Sequence, residues 1–378
     1  MEERPIIVIS AIRFFQGGTI VIVNECLWFL SRNYSTQYKI LALVYDKSLF
    51  DNIPAIEWIE FPKARKSVLR RLYYEYFYLK KRSLIWKPIL WLSLQDSTPN
   101  IKAAIRVAYY HNPLLLKPAG LHLWKFQPRL SALWLLYKFV YTKGMNRNDY
   151  IITQQQHVAQ FLAVKYVNQK EKLWVFPPKS FLVKNSFVQK EPSVLAIAPD
   201  SNPPFTFIFP ATAFHYKNYE LLLAACEILN MNGLDYRLLL TVDGSENKYI
   251  KNLVGKWSKR LPQVKFLGFL NRSDLFDYYL KADCMVYPSL LESWGLPLTE
   301  FSNLEKPIIC ADLPYGRESL AGYTKVRYFD PENPEILAAY MTSAIKGQLN
   351  FNPGQFKLSW QHIDDWEACF ELLLSKVQ

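Results

Sequence analysis

Short, unbroken apolar runs, each about one strand long and separated from the next by a helix-length stretch, recur along this chain: PIIVIS, YKILALVY, AAIRVAYY, YIITQ, KLWVF, FTFIFPA, YRLLLTVDG, VKFLGFL, CMVYPS and KPIICAD. A strand with one wet face alternates apolar and polar side chains. These runs do not alternate, so both of their faces must be covered. Parallel sheets with helices on both faces satisfy that pattern, which predicts an α/β fold.

At 378 residues the chain is too long for one ordinary core, and two domains are expected. Composition changes between Pro177 and Pro204, where PPKSFLVKNSFVQKEPSVLAIAPDSNPP carries six prolines and no sustained period. Read as a linker, it leaves two α/β halves of similar size, with a ligand expected in the cleft between them. Half of the residues are hydrophobic, and a charged fraction of 21% is too low for disorder.

Lys and Arg outnumber Asp and Glu by 45 to 33, a formal charge of +12. That balance calls for an anionic partner, whether nucleic acid, a membrane surface or a phosphorylated small molecule. The five cysteines, Cys26, Cys226, Cys284, Cys310 and Cys369, are far apart among apolar neighbours. They read as buried free thiols in a reducing compartment, with neither zinc nor disulfides. The N-terminal MEERPIIVIS has too short an apolar run for a signal peptide. The stretches Leu84 to Leu94 and Leu130 to Tyr141 contain Lys or Pro and fall short of the ~20 residues of a span. A cytoplasmic protein is expected.

Chemistry concentrates in SLLESWGLPLTEFSNLEKPIICADLPYGRESL, Ser289 to Leu320. Pro297 suits the first turn of a helix starting near Gly295 to Leu298. Unpaired N–H groups at such a start favour an anion, and Gly295 allows close approach. Glu300 is expected in the first turn and Glu292 at the end of the preceding strand, so two acids flank a phosphate-sized cradle. One carboxylate can accept hydrogen bonds from sugar hydroxyls while the other faces a carbon gaining positive charge. The plainer alternative has Glu300 complementing the helix dipole and Glu292 on the surface.

Tyr287-Pro288-Ser289, Glu292-Ser293-Trp294-Gly295-Leu296-Pro297, Glu300 and Ala311-Asp312 resemble the E-x7-E signature of the retaining nucleotide-sugar glycosyltransferases of family 4. The resemblance implies the GT-B architecture, two Rossmann-like doubly wound domains facing each other across a cleft. It divides the chain into an acceptor domain over 1–190, a donor domain over 191–360 and a terminal helix over 361–378, SWQHIDDWEACFELLL at its core, that crosses back to the first domain. Gly17-Gly18 resembles the family's glycine loop. FPATAFHYKNYELLLAA resembles the element that places a lysine, here Lys217, on the donor diphosphate. VKFLGFLNRSDLFDYYLKAD resembles the nucleotide-base element, with the Leu270 backbone as contact, and YHNP resembles the histidine loop, with His111 facing the transferred sugar.

Glu292 and His111 are then the catalytic candidates, and Lys217, Glu300, Gly17, Gly18, Ser293, Trp294, Gly295, Leu296 and Leu270 the donor-binding ones. Many members carry an arginine five residues before the lysine; here that position is Thr212. Lys217 and the Gly295 helix start can stabilise the leaving diphosphate without a metal, and no Asp-x-Asp motif occurs. Glu292 suits an oxocarbenium-like sugar and Glu300 the ribose hydroxyls. No cofactor is implied, the nucleotide sugar being a co-substrate. The expected reaction is retaining hexose transfer to a saccharide or polyprenyl-linked acceptor in surface-polysaccharide synthesis. A sugar-nucleotide epimerase would share the architecture. A basic nucleic-acid protein would share the charge, but no helix-turn-helix, zinc-finger or RNP-like pattern occurs.

Lys63 to Trp91, KARKSVLRRLYYEYFYLKKRSLIWKPILW, holds nine basic residues, seven aromatics and one acid, Glu75. Leu69, Leu72, Tyr73, Tyr76 and Leu79 or Lys80 recur at helical spacing, predicting an amphipathic helix with a basic face. Such a helix docks on anionic lipid, or packs on a sheet with its lysines solvated.

Overall fold

The computed structural model describes residues 4–15, 18–64, 67–112, 116, 144–167, 169–178 and 203–377. They fall into two compact units, the described residues up to 178 together with 358–377, and residues 203–357. Most of the Pro-rich segment, 179–202, lies outside the described residues.

The first unit is built on a parallel sheet of β1 (Ile6–Ala11), β2 (Lys39–Val44), β3 (Ile56–Glu60), β4 (Leu90–Ser93), β5 (Ile105–Tyr110), β6 (Tyr150–Thr153) and β7 (Leu173–Val175). Its order is β3-β2-β1-β4-β5-β6-β7. The chain winds outward from β1 to β3, then returns to pair β4 with the other side of β1. The point where direction reverses is where doubly wound sheets leave a crevice at their carboxyl ends. The helix Gly18–Asn33 covers one face through Ile22, Val23, Cys26, Leu27 and Leu30, a single stripe at helical spacing.

The final helix, Trp366–Leu374, shares that core through Trp366, Cys369, Phe370 and Leu373. Asp365 caps it by accepting the Ala368 N–H. The chain entering it is laced to β7, where Val175 donates to Gln361 O at 2.8 Å and receives the Ile363 N–H at 2.8 Å.

The opposite face is covered by residues 68–86, in which helices Val68–Tyr73 and Leu79–Trp86 are joined by a π-helical turn over Tyr74–Tyr78. This corrects the expected stripe. Glu75, Leu79 and Ser83 are buried, Tyr74 and Tyr78 pack on Phe61, and Tyr73 is exposed. A wide i→i+5 turn shifts the phase of everything after it, so a uniform 3.6 period misassigns the face.

The second unit repeats the winding with β8 (Thr206–Phe209), β9 (Arg237–Leu240), β10 (Val264–Phe266), β11 (Cys284–Tyr287), β12 (Ile308–Ala311) and β13 (Val326–Phe329). Its order is β10-β9-β8-β11-β12-β13, all parallel, with the reversal between β8 and β11. Both units therefore have the doubly wound parallel architecture that the apolar runs predict. The five cysteines are buried and free, and burial pushes the Cys226 thiol up to about 12. No described helix is long and apolar enough to cross a membrane. The stretch Leu130 to Tyr141 lies outside the described residues.

Candidate active site

At the reversal point of the second unit, two loops and the end of β11 bring three groups to one spot. A short 3-10 turn after β8, His215–Lys217, presents Lys217, and the loop after β11 presents Glu292. Lys217 Nζ lies 2.5 Å from Glu292 Oε1, and the Tyr287 hydroxyl donates to the same oxygen at 2.8 Å. Lys217 is 7% exposed and Glu292 8%. Two charges are held out of water only where partners satisfy them. Burial first, and then the Glu292 charge, hold the Tyr287 phenol well above its ordinary value, so it stays a donor.

The loops are fixed to each other by the Leu290 N–H, which donates to Tyr216 O at 2.8 Å. Tyr315 OH donates to Ser289 O at 2.6 Å, and Tyr219 OH donates to Ala211 O at 2.9 Å. Asn218 ends the lysine turn in the left-handed region at φ 61°, a conformation asparagine tolerates better than most residues. The expectation that Glu292 ends the strand is corrected, because β11 stops at Tyr287 and Glu292 sits in the following loop.

Gly295 caps the next helix, Leu296–Ser302, at φ 84°, with Pro297 in its first turn. A Cβ at Gly295 would come within 3.2 Å of Leu298 Cδ1 in a backbone conformation that side chains disfavour. The first turn contains no acid. Glu300 lies beyond it, which corrects its expected placement, and its carboxylate is buried. Arg272 Nη2 donates to Glu300 Oε1 at 2.9 Å and Tyr279 OH to Oε2 at 3.3 Å. Burial raises the Glu300 carboxyl above its ordinary value, opposed by the Arg272 charge and the Tyr279 hydrogen bond. Trp294 is buried with its indole N–H on Thr299 Oγ1 at 3.4 Å, and Ser319 donates to its carbonyl. Ser293 and Leu296 are half-buried.

Leu270, also half-buried, follows β10 one residue before Asn271, the cap of the helix Arg272–Lys281 that sends Arg272 to Glu300. Gly268, at φ 76°, precedes it closely, and a Cβ there would sit 2.7 Å from an Asp243 carboxylate oxygen. Thr212 is exposed and brings no cation. Arg272 is the cation that sequence reasoning missed, along with Tyr279. The only trace of Arg272 in the sequence is its place directly after a capping Asn.

In the first unit His111 follows β5, buried with its Nδ1 3.1 Å from Gln154 Nε2. Its ring meets Phe14 edge-on at 5.4 Å and lies 4.6 Å from Tyr109. Burial holds its pKa down at about 3, so the ring is neutral. The ring nitrogens are both buried, Nδ1 against the Gln154 amide, and a hydrogen bond to the Leu94 backbone opposes part of the shift.

Asp96, at φ 63°, accepts the His111 N–H at 2.5 Å and the Asn112 N–H at 2.9 Å. Burial raises its carboxyl to about 6. Gly18 opens the helix after β1, whereas Gly17, and Pro113 of the histidine loop, lie outside the described residues. Arg13 grips Glu75 through Nε at 3.0 Å and Nη2 at 2.8 Å. The structure thus brings Lys217 and Glu292 into contact and ties Glu300 to Arg272, while His111 and Gly18 belong to the first unit.

Among the described residues no group of three or more His, Cys, Asp or Glu could hold a metal ion.

Residues 196–354 match the family "Glycosyl transferases group 1". The chain is 27% identical over 177 residues, 46% of its length, to the serotype-specific mannosyltransferase WbdA of Escherichia coli, and spans about a fifth (21%) of that protein. Among solved structures, WaaG, a glycosyltransferase involved in lipopolysaccharide biosynthesis, superposes with a TM-score of 0.64 over 90% of each chain at 13% identity. HepE of Anabaena in complex with UDP-glucose superposes with a TM-score of 0.58 over 90% of each chain at 16% identity. The chain has the α/β fold of the GT-B glycosyltransferases, two parallel-sheet domains.

Proposed function

We propose that this chain is a glycosyltransferase that moves a hexose from a nucleotide sugar to a saccharide or polyprenyl-linked acceptor in surface-polysaccharide synthesis. The observation that carries this reading is the buried Lys217, Glu292 and Tyr287 cluster at the reversal point of the second sheet. A lysine and a carboxylate share one desolvated spot there, and a cleaving sugar-phosphate bond creates one charge of each sign. Lys217 meets the negative charge on the departing diphosphate, aided by the N–H groups at Gly295 to Leu298. Glu292 faces the oxocarbenium-like carbon, oriented by Tyr287.

Glu300, held by Arg272 and Tyr279, takes the ribose hydroxyls, and the Leu270 backbone takes the base. His111 faces the transferred sugar. The acceptor attacks from the face that the nucleotide leaves, so the anomeric configuration is retained. The reaction needs no metal ion, because Lys217 supplies the charge. The similarity to an Escherichia coli mannosyltransferase and to a lipopolysaccharide glycosyltransferase supports the hexose and the polysaccharide setting. A cytoplasmic site at the inner face of the membrane follows from the polyprenyl-linked acceptor.

The test is nucleotide release from UDP- and GDP-hexoses with and without polyprenyl-linked saccharides, in EDTA, with the product anomer read by NMR. Acceptor-dependent release with retention supports the proposal. Conversion of the donor sugar without an acceptor would make the protein an epimerase, and inversion would remove the assigned role of Glu292.

A further inference from the structure

Besides the apolar side chains it packs on the sheet, the segment 68–86 turns charge and four large apolar side chains outward together. Glu75, Leu79 and Ser83 form the buried spine, and Tyr73, Phe77, Lys81 and Leu84 run along the opposite side at the same helical spacing. Tyr73 is 55% exposed, Phe77 69%, Leu84 54% and Ile85 62%, and the Tyr73 and Phe77 rings stack at 6.3 Å. Four large apolar side chains on one short surface stretch are more than scattered surface hydrophobes. Arg70, Lys80 and Lys81 stand exposed among them. The single acid of the stretch, Glu75, is withdrawn beneath the helix, where Arg13 neutralises it through two nitrogens. The outward face therefore carries positive charge with no exposed carboxylate of its own segment.

We infer that this face docks on an anionic phospholipid bilayer, with Tyr73, Phe77, Leu84 and Ile85 entering the headgroup boundary and Arg70, Lys80 and Lys81 meeting lipid phosphates. Charge complementarity selects the occupant. A neutral apolar partner would leave the three cations without counter-charge, while a purely polyanionic partner would leave the four apolar side chains in water. The helix lies in the interface and does not span it. Its anchor is mechanical as well: Glu75 fastens it to Arg13, two residues past β1, and so to the carboxyl end of the first sheet where Gln95, Asp96 and His111 sit. This docking does not depend on the glycosyl-transfer reading, since it rests on none of the residues that carry that reading.

The test is sedimentation of the full chain with vesicles of pure phosphatidylcholine or with a third of the lipid replaced by phosphatidylglycerol. Three proteins are compared: wild type, the triple charge reversal R70E/K80E/K81E, and the quadruple exposed-apolar variant Y73S/F77S/L84S/I85S. Wild type is expected to bind only the anionic vesicles. The charge reversal should weaken binding by roughly 100-fold or more. The apolar variant should weaken it by about 10-fold or more and make the residual binding fully salt-sensitive. A dye on F77C should shift to the blue on anionic vesicles. The changed positions are exposed, and circular dichroism with a thermal midpoint within a few degrees of wild type checks that each variant is folded. Failure of wild type to bind anionic vesicles, or equal binding by the apolar variant, overturns the inference. Equal affinity for heparin that ignores the apolar substitutions would also overturn it, assigning the face to generic polyanions.

Discussion

The carboxyl ends of the two sheets have the same winding and different electrostatics. In the second unit the reversal point is built of opposed charges, Lys217 with Glu292 and Arg272 with Glu300. In the first unit the corresponding end holds a neutral imidazole on an amide, His111 with Gln154, and a carboxyl, Asp96, whose pKa burial raises, beside the Arg13–Glu75 ion pair. Fixed charges in a dry site suit a ligand that carries charge and develops more of it, as a nucleotide diphosphate does. Neutral donors and acceptors suit hydroxyl groups. On the proposed reading, the second sheet takes the charged donor and the first takes hydroxyl groups.

The largest effect that would break this contrast is at the charged end. Glu292→Gln should cut turnover by about 10²- to 10³-fold. It should also lower stability by about 3–5 kcal/mol, because Lys217 stays buried without its counter-charge. Adding Lys217→Met should recover much of that stability without recovering turnover, as urea midpoints and rates would show. If Glu292→Gln keeps wild-type turnover, the charged cluster is structural only.

Tyr287→Phe is milder. It leaves the ion pair and removes one hydrogen bond to a charged group, worth about 1.5–3 kcal/mol, so a loss of about 10- to 100-fold in kcat with little change in KM is expected.

The neutral end is sharpened by pH. His111 has a folded pKa of about 3 against an ordinary 6.5, so its contribution is present above 6.5 and lost as pH falls toward 3. Asp96 runs the other way. Its pKa of about 6 against 3.8 gives a contribution that is full below 3.8 and lost as pH rises through 6. Relative to wild type, His111→Gln should therefore gain stability from pH 8 to pH 5, and Asp96→Asn should gain it from pH 4 to pH 7, both read from urea midpoints. The smallest expected effect is none: the His111 ring signals in NMR should not titrate between pH 5 and pH 8.

The doubly wound fold is legible in the sequence because β1, β2, β5, β8 and β11 are covered on both faces and are mostly apolar without alternation. The strands that stay hidden are different. β3, Ile56–Glu60, is an edge strand that exposes Glu57 and Glu60, and β13 carries Arg327 at the other sheet's edge. β3 has the composition of a half-wet strand and β13 is a four-residue run broken by its arginine, while β4, Leu90–Ser93, is fully buried but follows the basic helical run so closely that it is read as part of it.

At the site, Glu292 and Glu300 stand out because carboxylates interrupt an apolar context around a Gly-Leu-Pro turn. Arg272, Gln154 and Asp96 do not, since each reaches its partner across the fold: Arg272 pairs 28 positions away and Gln154 pairs 43 away. Glu75 is hidden twice over. It stands in a basic run that suggests a solvated helix, and only the π turn and Arg13 reveal that it points inward.

The most direct measurement is calorimetric titration of UDP and GDP into wild type, Glu300→Ala and His111→Ala. Binding of one nucleotide that is weakened at least about 10-fold by Glu300→Ala and left unchanged by His111→Ala is the predicted result, and places the diphosphate at the charged end alone. Nucleotide binding that survives Glu300→Ala and is abolished by His111→Ala would contradict the division of labour between the two sheets.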